Sequence, residues 1–362
     1  MSVRKRKSTG KWSFDVRYKT LSGQNKRKEQ SGFNSKQEAK DAELKFLISV
    51  NEQDNSNNMT IKEICDIYVE TKSKSVTKST MKYTNNIINL HILPHLSKKE
   101  LREINHQTLL KWHNELANKE LSNKRINGVT KKLREIYNFA NKINDSNYNP
   151  FKAIEKLKEK PKKEIVVYDY PTFKKYEDVI DDFEYKVYFN ILYWTGLRSA
   201  ESWALTWNDF LIETKEVDIN KSCIQGIKGI AWEIGPTKTK ESNRKILLDN
   251  HTFDLLIQLK EIKQNYDGYT EDEFIFGGVE PFRKNTVNSY NKKYANLAEV
   301  EYISLHCFRH SHATLIIQKT KDYKMASKRL GHKTEKETIA TYSHLIKDSE
   351  TQLMFELNNL NK

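Results

Sequence analysis

Cysteine, proline and glycine are all scarce in this chain of 362 residues, at 3, 6 and 12. The three cysteines, Cys65, Cys223 and Cys307, lie far apart. They form neither a C-x-x-C metal pair nor a disulfide framework, and they read as reduced packing residues. So little glycine and proline excludes a low-complexity chain. No run of about 18 apolar residues occurs, so no membrane span is expected. The basic stretch Arg4 to Lys7 is not followed by an apolar run, which argues against a secretory signal. The protein is therefore expected in the cytoplasm.

Acidic residues are outnumbered, 48 against 62 Lys and Arg, for a net charge of +14. A basic excess of this size points to a polyanionic partner. Most of it is concentrated at one end: residues 1–28 hold ten basic residues and one acid, Asp15, for +9. With 37% hydrophobic residues there is material for ordinary cores, and the length suggests two or three domains.

Three segments emerge along the chain. In residues 1–52, Trp12, Phe14, Val16 and Tyr18 alternate with Ser13, Asp15 and Arg17, the period-2 pattern of a half-buried strand. Leu21 to Asn25 is a turn signal, and Lys26 to Phe33 returns as a second strand. Ser35 and Glu38 form a capping box for a helix through Ala39, Ala42, Leu44 and Leu47. Aromatics interleaved with Lys and Arg suit a sheet that binds nucleic acid. Residues 53–58 read as a polar linker. Residues 59–155 read as a four-helix bundle. A Thr60–Glu63 capping box opens it, and its second helix is expected over 79–91. Its third carries Leu109, Leu110, Trp112 and Leu116, and its fourth starts at Ser122. A charged run from Lys156 to Lys163, broken by Pro161, reads as a solvated tether. Residues 165–362 read as a third, mixed α and β domain. The expected fold class is thus multidomain α+β: a small basic sheet-plus-helix domain, a helical bundle, and a mostly α domain with a small β-sheet.

Four motifs stand out in the third domain. Thr195-Gly196-Leu197-Arg198-Ser199-Ala200-Glu201 follows an apolar helix, and Gly196 suits a helix terminus. Arg198 would sit where a guanidinium and backbone N–H groups converge on an anion. Pro236 to Leu248 reads as a β-hairpin with Lys238 and Lys240 at its tip. In His306-Cys307-Phe308-Arg309-His310, positions 306, 309 and 310 share one helix face. Leu330-Gly331-His332 is followed by Thr341-Tyr342-Ser343-His344. The histidines lack the acid or thiol partners usual for zinc, so no metal and no cofactor is expected.

This order of T-G-L-R-x-x-E, a lysine-bearing segment, H-x-x-R-H, L-G-H and a tyrosine ten residues on resembles the tyrosine recombinase family, in particular phage and mobile-element integrases. Residues 170–346 carry the catalytic resemblance. The 59–150 segment resembles the family's core-DNA-binding domain, and the basic N-terminus its arm-binding domain. Ala200 stands where Ser or Gly is commoner, and Phe308 where Leu is common. The resemblance implies that DNA is cut and rejoined at attachment sites through a 3′-phosphotyrosine bond, with integration and excision of a mobile element or prophage. Tyr342 would be the nucleophile. Arg198 and Arg309 would clamp the negative charge of the transition state. His306 and His332 would hydrogen-bond the phosphate or move protons. Lys240, or else Lys238, would protonate the 5′ oxygen. The implied partners are double-stranded DNA at core and arm sites, a tetramer on synapsed DNA, an excisionase and a host DNA-bending protein. A type IB topoisomerase and a non-catalytic DNA-binding regulator are the alternative readings. Ser349 to Leu360 reads as a closing helix with Leu353, Met354, Leu357 and Leu360 on one side.

Overall fold

The structure is a computed structural model. It describes residues 3–6, 9–19, 25–57, 59–143, 148–161, 164–227, 230–237, 239–342, 354 and 357–359. The chain divides into two compact units, Met1–Lys162 and Lys163–Lys362. Among the described residues, no helix is long and apolar enough to cross a membrane.

The first unit opens with an antiparallel sheet of three strands, β1 (Val3–Lys5), β2 (Trp12–Lys19) and β3 (Asn25–Phe33), in that order. Helix α1 (Lys36–Asn57) lies against it. Phe14 is fully buried and stacks near Phe33 and Phe46, at 6.0 and 6.2 Å between ring centroids. The period-2 reading of β2 and the return strand are both present. Strand β1 went unread in the sequence, because three residues of which two are charged carry no periodic signal. Half of the expected Ser35–Glu38 box forms: the Glu38 amide donates to Ser35 Oγ at 3.0 Å, but the Glu38 carboxylate reaches one residue further and accepts from the Asn34 amide at 2.8 Å. One feature differs from expectation, because residues 53–57 continue α1 instead of forming a linker. Their Asn and Ser cost only about 0.5–0.7 kcal/mol each in a helix, and neither Gly nor Pro interrupts the ladder.

A separate apolar cluster holds the helices α2 (Ile61–Ser73), α3 (Lys78–Ile87), α4 (Leu93–Leu96), α5 (His106–Ala117) and α6 (Asn123–Ile143). The Thr60–Glu63 capping box opens α2. The helix expected over 79–91 ends as α helix at Ile87 and continues as a wider π turn over Ile88–Ile92. Pro94 explains this, since it has no N–H to bond a carbonyl one turn back. Near the same turn the His91 carbonyl accepts from Trp112 Nε1 at 3.1 Å. The charged run from Lys156 is no free tether. Asn127 binds both the Leu157 amide and the Leu157 carbonyl, at 2.9 Å each, and Asn123 donates to the Lys158 carbonyl at 2.8 Å.

The second unit contains α7 (Tyr170–Asp178), α8 (Phe183–Thr195) and α9 (Ser199–Ser202), then β4 (Phe210–Leu211), β5 (Glu216–Ile219), β6 (Lys221–Ile227), β7 (Ile230–Pro236) and β8 (Arg244–Leu247). It closes with α10 (Asn250–Gln264), α11 (Lys284–Leu297), α12 (Leu305–Thr320), α13 (Tyr323–Leu330) and α14 (Glu335–Tyr342). An aromatic core surrounds α8, where Phe173, Tyr176, Phe189 and Phe308 are buried together. Phe308 therefore fills the core where the resemblance led us to expect Leu. The hairpin expected over 236–248 does not form. Strand β7 pairs with β6, and β8 pairs with β5 in a different sheet. Alternation alone could not distinguish a hairpin from two strands that part company around a tight turn at Lys240–Ser242. Lys238, Ser343, His344 and most of the closing segment lie outside the described residues. Met354 and Leu357, which are described, are exposed.

Candidate active site

Each motif is first a local folding device. Gly196 ends α8 in the left-handed region, at φ 66°, and donates to the Leu192 carbonyl at 3.1 Å. A Cβ at Gly196 would stand 2.6 Å from His312 Cδ2, so glycine is required both by backbone and by space. Two residues later a new helix starts. Glu201 accepts from the Arg198 amide at 3.0 Å and from Arg198 Nη1 at 2.6 Å. The T-G-L-R-x-x-E spacing is thus a helix stop followed by a helix start, which aims Arg198 away from the core.

Helix α12 carries the second group. Arg309 is buried, and its two outer nitrogens are both taken by carbonyls at helix ends. Nη1 donates to Gly196 O at 2.9 Å, and Nη2 donates to Leu330 O at 2.7 Å. Gly331 ends α13 at φ 64°. Its own carbonyl accepts from Arg198 Nη2 at 3.3 Å. Both arginines therefore converge on the Leu330-Gly331-His332 turn. His332 follows, its Nδ1 sharing a hydrogen bond with Thr338 Oγ1 at 2.7 Å. That contact orients the ring.

Tyr342 is the last residue of α14 and is buried. Its hydroxyl shares a hydrogen bond with His310 Nδ1 at 2.5 Å. The His310 and His306 rings meet edge to face, with centroids 4.8 Å apart, and His306 is exposed. Burial pushes the Tyr342 pKa up, against the opposing pull of the Arg309 charge. The same burial, followed by the charges of Arg309 and Arg198, pushes His332 down to about 4. His310 is also lowered to about 4, by burial and then by His306 and Arg309. Both imidazoles are therefore neutral at pH 7. His306 is lowered as well, by desolvation and then by Arg309 and Arg198.

The charge balance is one-sided. Arg198, Arg244 and Arg309 share one buried carboxylate, Glu201. Arg244 donates to Glu201 Oε2 at 3.0 Å, to Arg329 O at 2.7 Å and to Ser242 O at 2.8 Å. Burial lowers the Arg309 pKa to about 9, which leaves it charged at neutral pH. An uncompensated guanidinium cluster at a partly open surface is a site for an anion.

Of the residues singled out in the sequence, Arg198, His306, Arg309, His332 and Tyr342 are brought together. Lys240 starts the tight turn whose Ser242 accepts from Arg198 Nη1 at 3.4 Å. Sequence reasoning missed three contributors. Arg244 gave no signal beyond being one more basic residue. His310 was visible only as a neighbour of Arg309 on the same face. Thr338 had no pattern at all. His312, inside the same motif, has a packing role: its Nδ1 donates to Tyr193 O at 2.9 Å, and its Nε2 accepts from Arg329 Nε at 3.0 Å.

Residues 171–348 match the Phage integrase family, residues 2–50 match an Arm DNA-binding domain, and residues 60–117 match the SAM-like N-terminal domain of phage integrases. The chain belongs to the phage integrase family. By that membership it is a tyrosine-type site-specific recombinase, as its motifs led us to expect. The integrase is 28% identical over 316 residues to the ICEBs1 integrase of Bacillus subtilis strain 168, covering 84% of each chain. Its fold matches the Tn1549 transposon integrase, solved in complex with a circular intermediate DNA. The TM-score is 0.68 at 19% identity, over 83% of this chain and 99% of that one. It also matches a lambda integrase solved as a tetramer bound to a Holliday junction, with a TM-score of 0.57 at 16% identity, over 92% and 96% of the two chains.

Proposed function

We propose that this integrase recombines the attachment sites of a mobile element or prophage in a bacterial cytoplasm, through a covalent bond between Tyr342 and a 3′ phosphate. The single observation that carries this reading is the convergence of Arg198 and Arg309 on the turn before His332, with the Tyr342 hydroxyl held within reach of the same histidine cluster.

The geometry around the two arginines supports the following roles. The scissile phosphate lies against Arg198, whose half-buried guanidinium still has solvent access, with the Arg309 charge behind it. Together they stabilise the extra negative charge of the phosphorane-like transition state. His306, exposed beside them, and His332, oriented by Thr338, donate hydrogen bonds to the phosphate oxygens. Attack by Tyr342 expels the 5′ oxygen, which takes a proton from Lys240, or from Lys238. The energy of the broken phosphodiester is kept in the phosphotyrosine ester, so rejoining needs no nucleotide hydrolysis.

The proposed division of labour is residues 1–52 for arm sites, 59–155 for core sites and 165–362 for chemistry. Separate apolar clusters in the sheet and in the helical bundle support the first boundary, and the division of the chain at Lys162 supports the second. A tetramer on paired core sites is proposed by likeness to the lambda enzyme, with an excisionase and a DNA-bending protein setting direction. The test uses a nicked suicide duplex built from the DNA end that adjoins the gene. The wild-type protein should become covalently trapped on it. It should also recombine a plasmid carrying that end with one carrying the opposite end. Relaxation of plasmids lacking any such end, without recombination, would favour a topoisomerase instead.

A further inference from the structure

Three histidines lie within electrostatic range of Arg309, and they do not stand in equivalent places. His332 commits its Nδ1 to Thr338. His306 is exposed at the outer edge of the cluster. It is His310 whose ring nitrogen meets the Tyr342 hydroxyl, at 2.5 Å. Helix α12 places it one residue beyond Arg309, so its position is set by the same buried anchor that holds the clamp. We propose that His310 is the general base of strand cleavage and, in the reverse direction, the acid of strand rejoining. This rests on the recombinase reading above, and it assigns the proton of the attacking hydroxyl, which that reading leaves open.

The step balances without an outside reagent. His310 carries its proton on Nε2, and its Nδ1 accepts from the Tyr342 hydroxyl. As the tyrosine oxygen bonds to phosphorus, its proton passes to Nδ1. The bond from phosphorus to the 5′ oxygen breaks with its electron pair, and that oxygen takes a proton from the lysine acid. On rejoining, the 5′ hydroxyl attacks, its proton returns to the lysine, and the His310 imidazolium returns its own proton to the departing tyrosine oxygen. Microscopic reversibility assigns both jobs to one residue.

The charges around His310 explain why the step waits for DNA. His306 and Arg309 face it from its own helix, Tyr342 faces it from α14, and His332 lies within electrostatic range. In the free protein burial, then the charges of His306 and Arg309, keep the imidazole neutral, and burial keeps the phenol protonated against the pull of Arg309. A phosphate seated against Arg198 would bring negative charge to this cluster and make an imidazolium easier to form.

The experiment measures the rate of covalent trapping on the nicked suicide duplex, from pH 6 to 10, for wild type, His310→Ala and His310→Asn. Asn offers an acceptor near the position of Nδ1 but takes up no proton, and it keeps most of the packing. Both variants should bind the duplex normally and trap at least ~10²-fold more slowly near pH 7. Their deficit should shrink as pH rises, because ionised Tyr342 needs no base. Replacing Tyr342 by a fluorinated tyrosine, which ionises at lower pH, should restore the variants more than it speeds the wild type. Trapping of His310→Asn at the wild-type rate would overturn the proposal, as would a deficit that is the same at every pH and indifferent to fluorination. If wild-type protein itself is never trapped, the recombinase reading fails first, and the two failures are told apart by that control.

Discussion

Glu201 is the least replaceable polar residue of the site. Its carboxylate is 3% exposed and accepts from the Arg198 amide, from Arg198 Nη1 and from Arg244 Nη2. Glu201→Gln keeps the shape but turns one acceptor oxygen into an N–H donor and removes the charge. One guanidinium then faces a donor. Arg244, whose side chain is only 7% exposed, is left charged without its counter-ion. Removing one partner of a buried pair costs about 3–5 kcal/mol, and an isosteric change belongs at the lower end, about 3 kcal/mol. For a unit of this size, that lowers its melting temperature by about 6–12 °C. Urea unfolding of wild type and variant, followed by tryptophan fluorescence, measures the difference. Burial alone would raise the Glu201 pKa, but the charges and hydrogen bonds of Arg244 and Arg198 outweigh it and lower it. Its stabilisation is therefore complete above the unfolded value of about 4.3 and is lost as pH falls through the folded value. The gap between the two proteins should be full at pH 7 and narrow from pH 5 toward pH 3. A gap below about 1 kcal/mol at pH 7, or one that stays constant on acidification, would refute the reasoning.

Other consequences are equally open to measurement. Gly196→Ala should destabilise by ~2–4 kcal/mol, from left-handed backbone strain and from the 2.6 Å clash with His312, and a loss under about 1 kcal/mol in urea unfolding would contradict both causes. Arg198→Ala should slow trapping by ~10²-fold or more at near-normal binding, and Arg198→Lys should recover little, because a point charge lacks the planar fork; near-normal trapping by the Lys variant would argue against a bidentate clamp. DNA with a 5′-bridging sulfur needs no proton on its leaving group, so it should restore cleavage to Lys240→Ala alone, whereas rescue of Lys238→Ala alone would move the acid to Lys238. Deleting residues 1–55 removes the +9 segment, so the slope of log affinity against log salt should flatten by ~0.9 for each phosphate no longer neutralised, while core half-site trapping persists; an unchanged slope would contradict a DNA-binding role for the segment.

The motifs were legible because each is a local device with a fixed spacing. Gly196 ends a helix, Glu201 caps the next one three residues on, and Arg309 sits where one turn of helix brings it beside His306 and His310. Strand β2 was legible by its alternation, and α2 by its capping box. What stayed hidden depends on contacts between distant segments. Arg244 meets Glu201 from 43 residues away, and Arg309 reaches the Leu330 carbonyl across 21. The supposed hairpin failed for the same reason, since β5 and β6 each claim one of its flanking strands from further up the chain. The Asn-rich end of α1 shows the converse limit: polar composition suggests a linker, yet nothing in it breaks a helix already under way.

The account depends most directly on which side chain bears the DNA. The measurement is proteolysis of the trapped complex and mass spectrometry of the peptide that carries the nucleotide, with Tyr342→Phe run in parallel. The chain has 18 tyrosines, so the modified position must be read from the peptide itself. The account predicts a single modified peptide, with the phosphodiester on Tyr342, and no adduct from the Phe variant at unchanged DNA affinity. An adduct on any other residue, or one that survives in Tyr342→Phe, would contradict it.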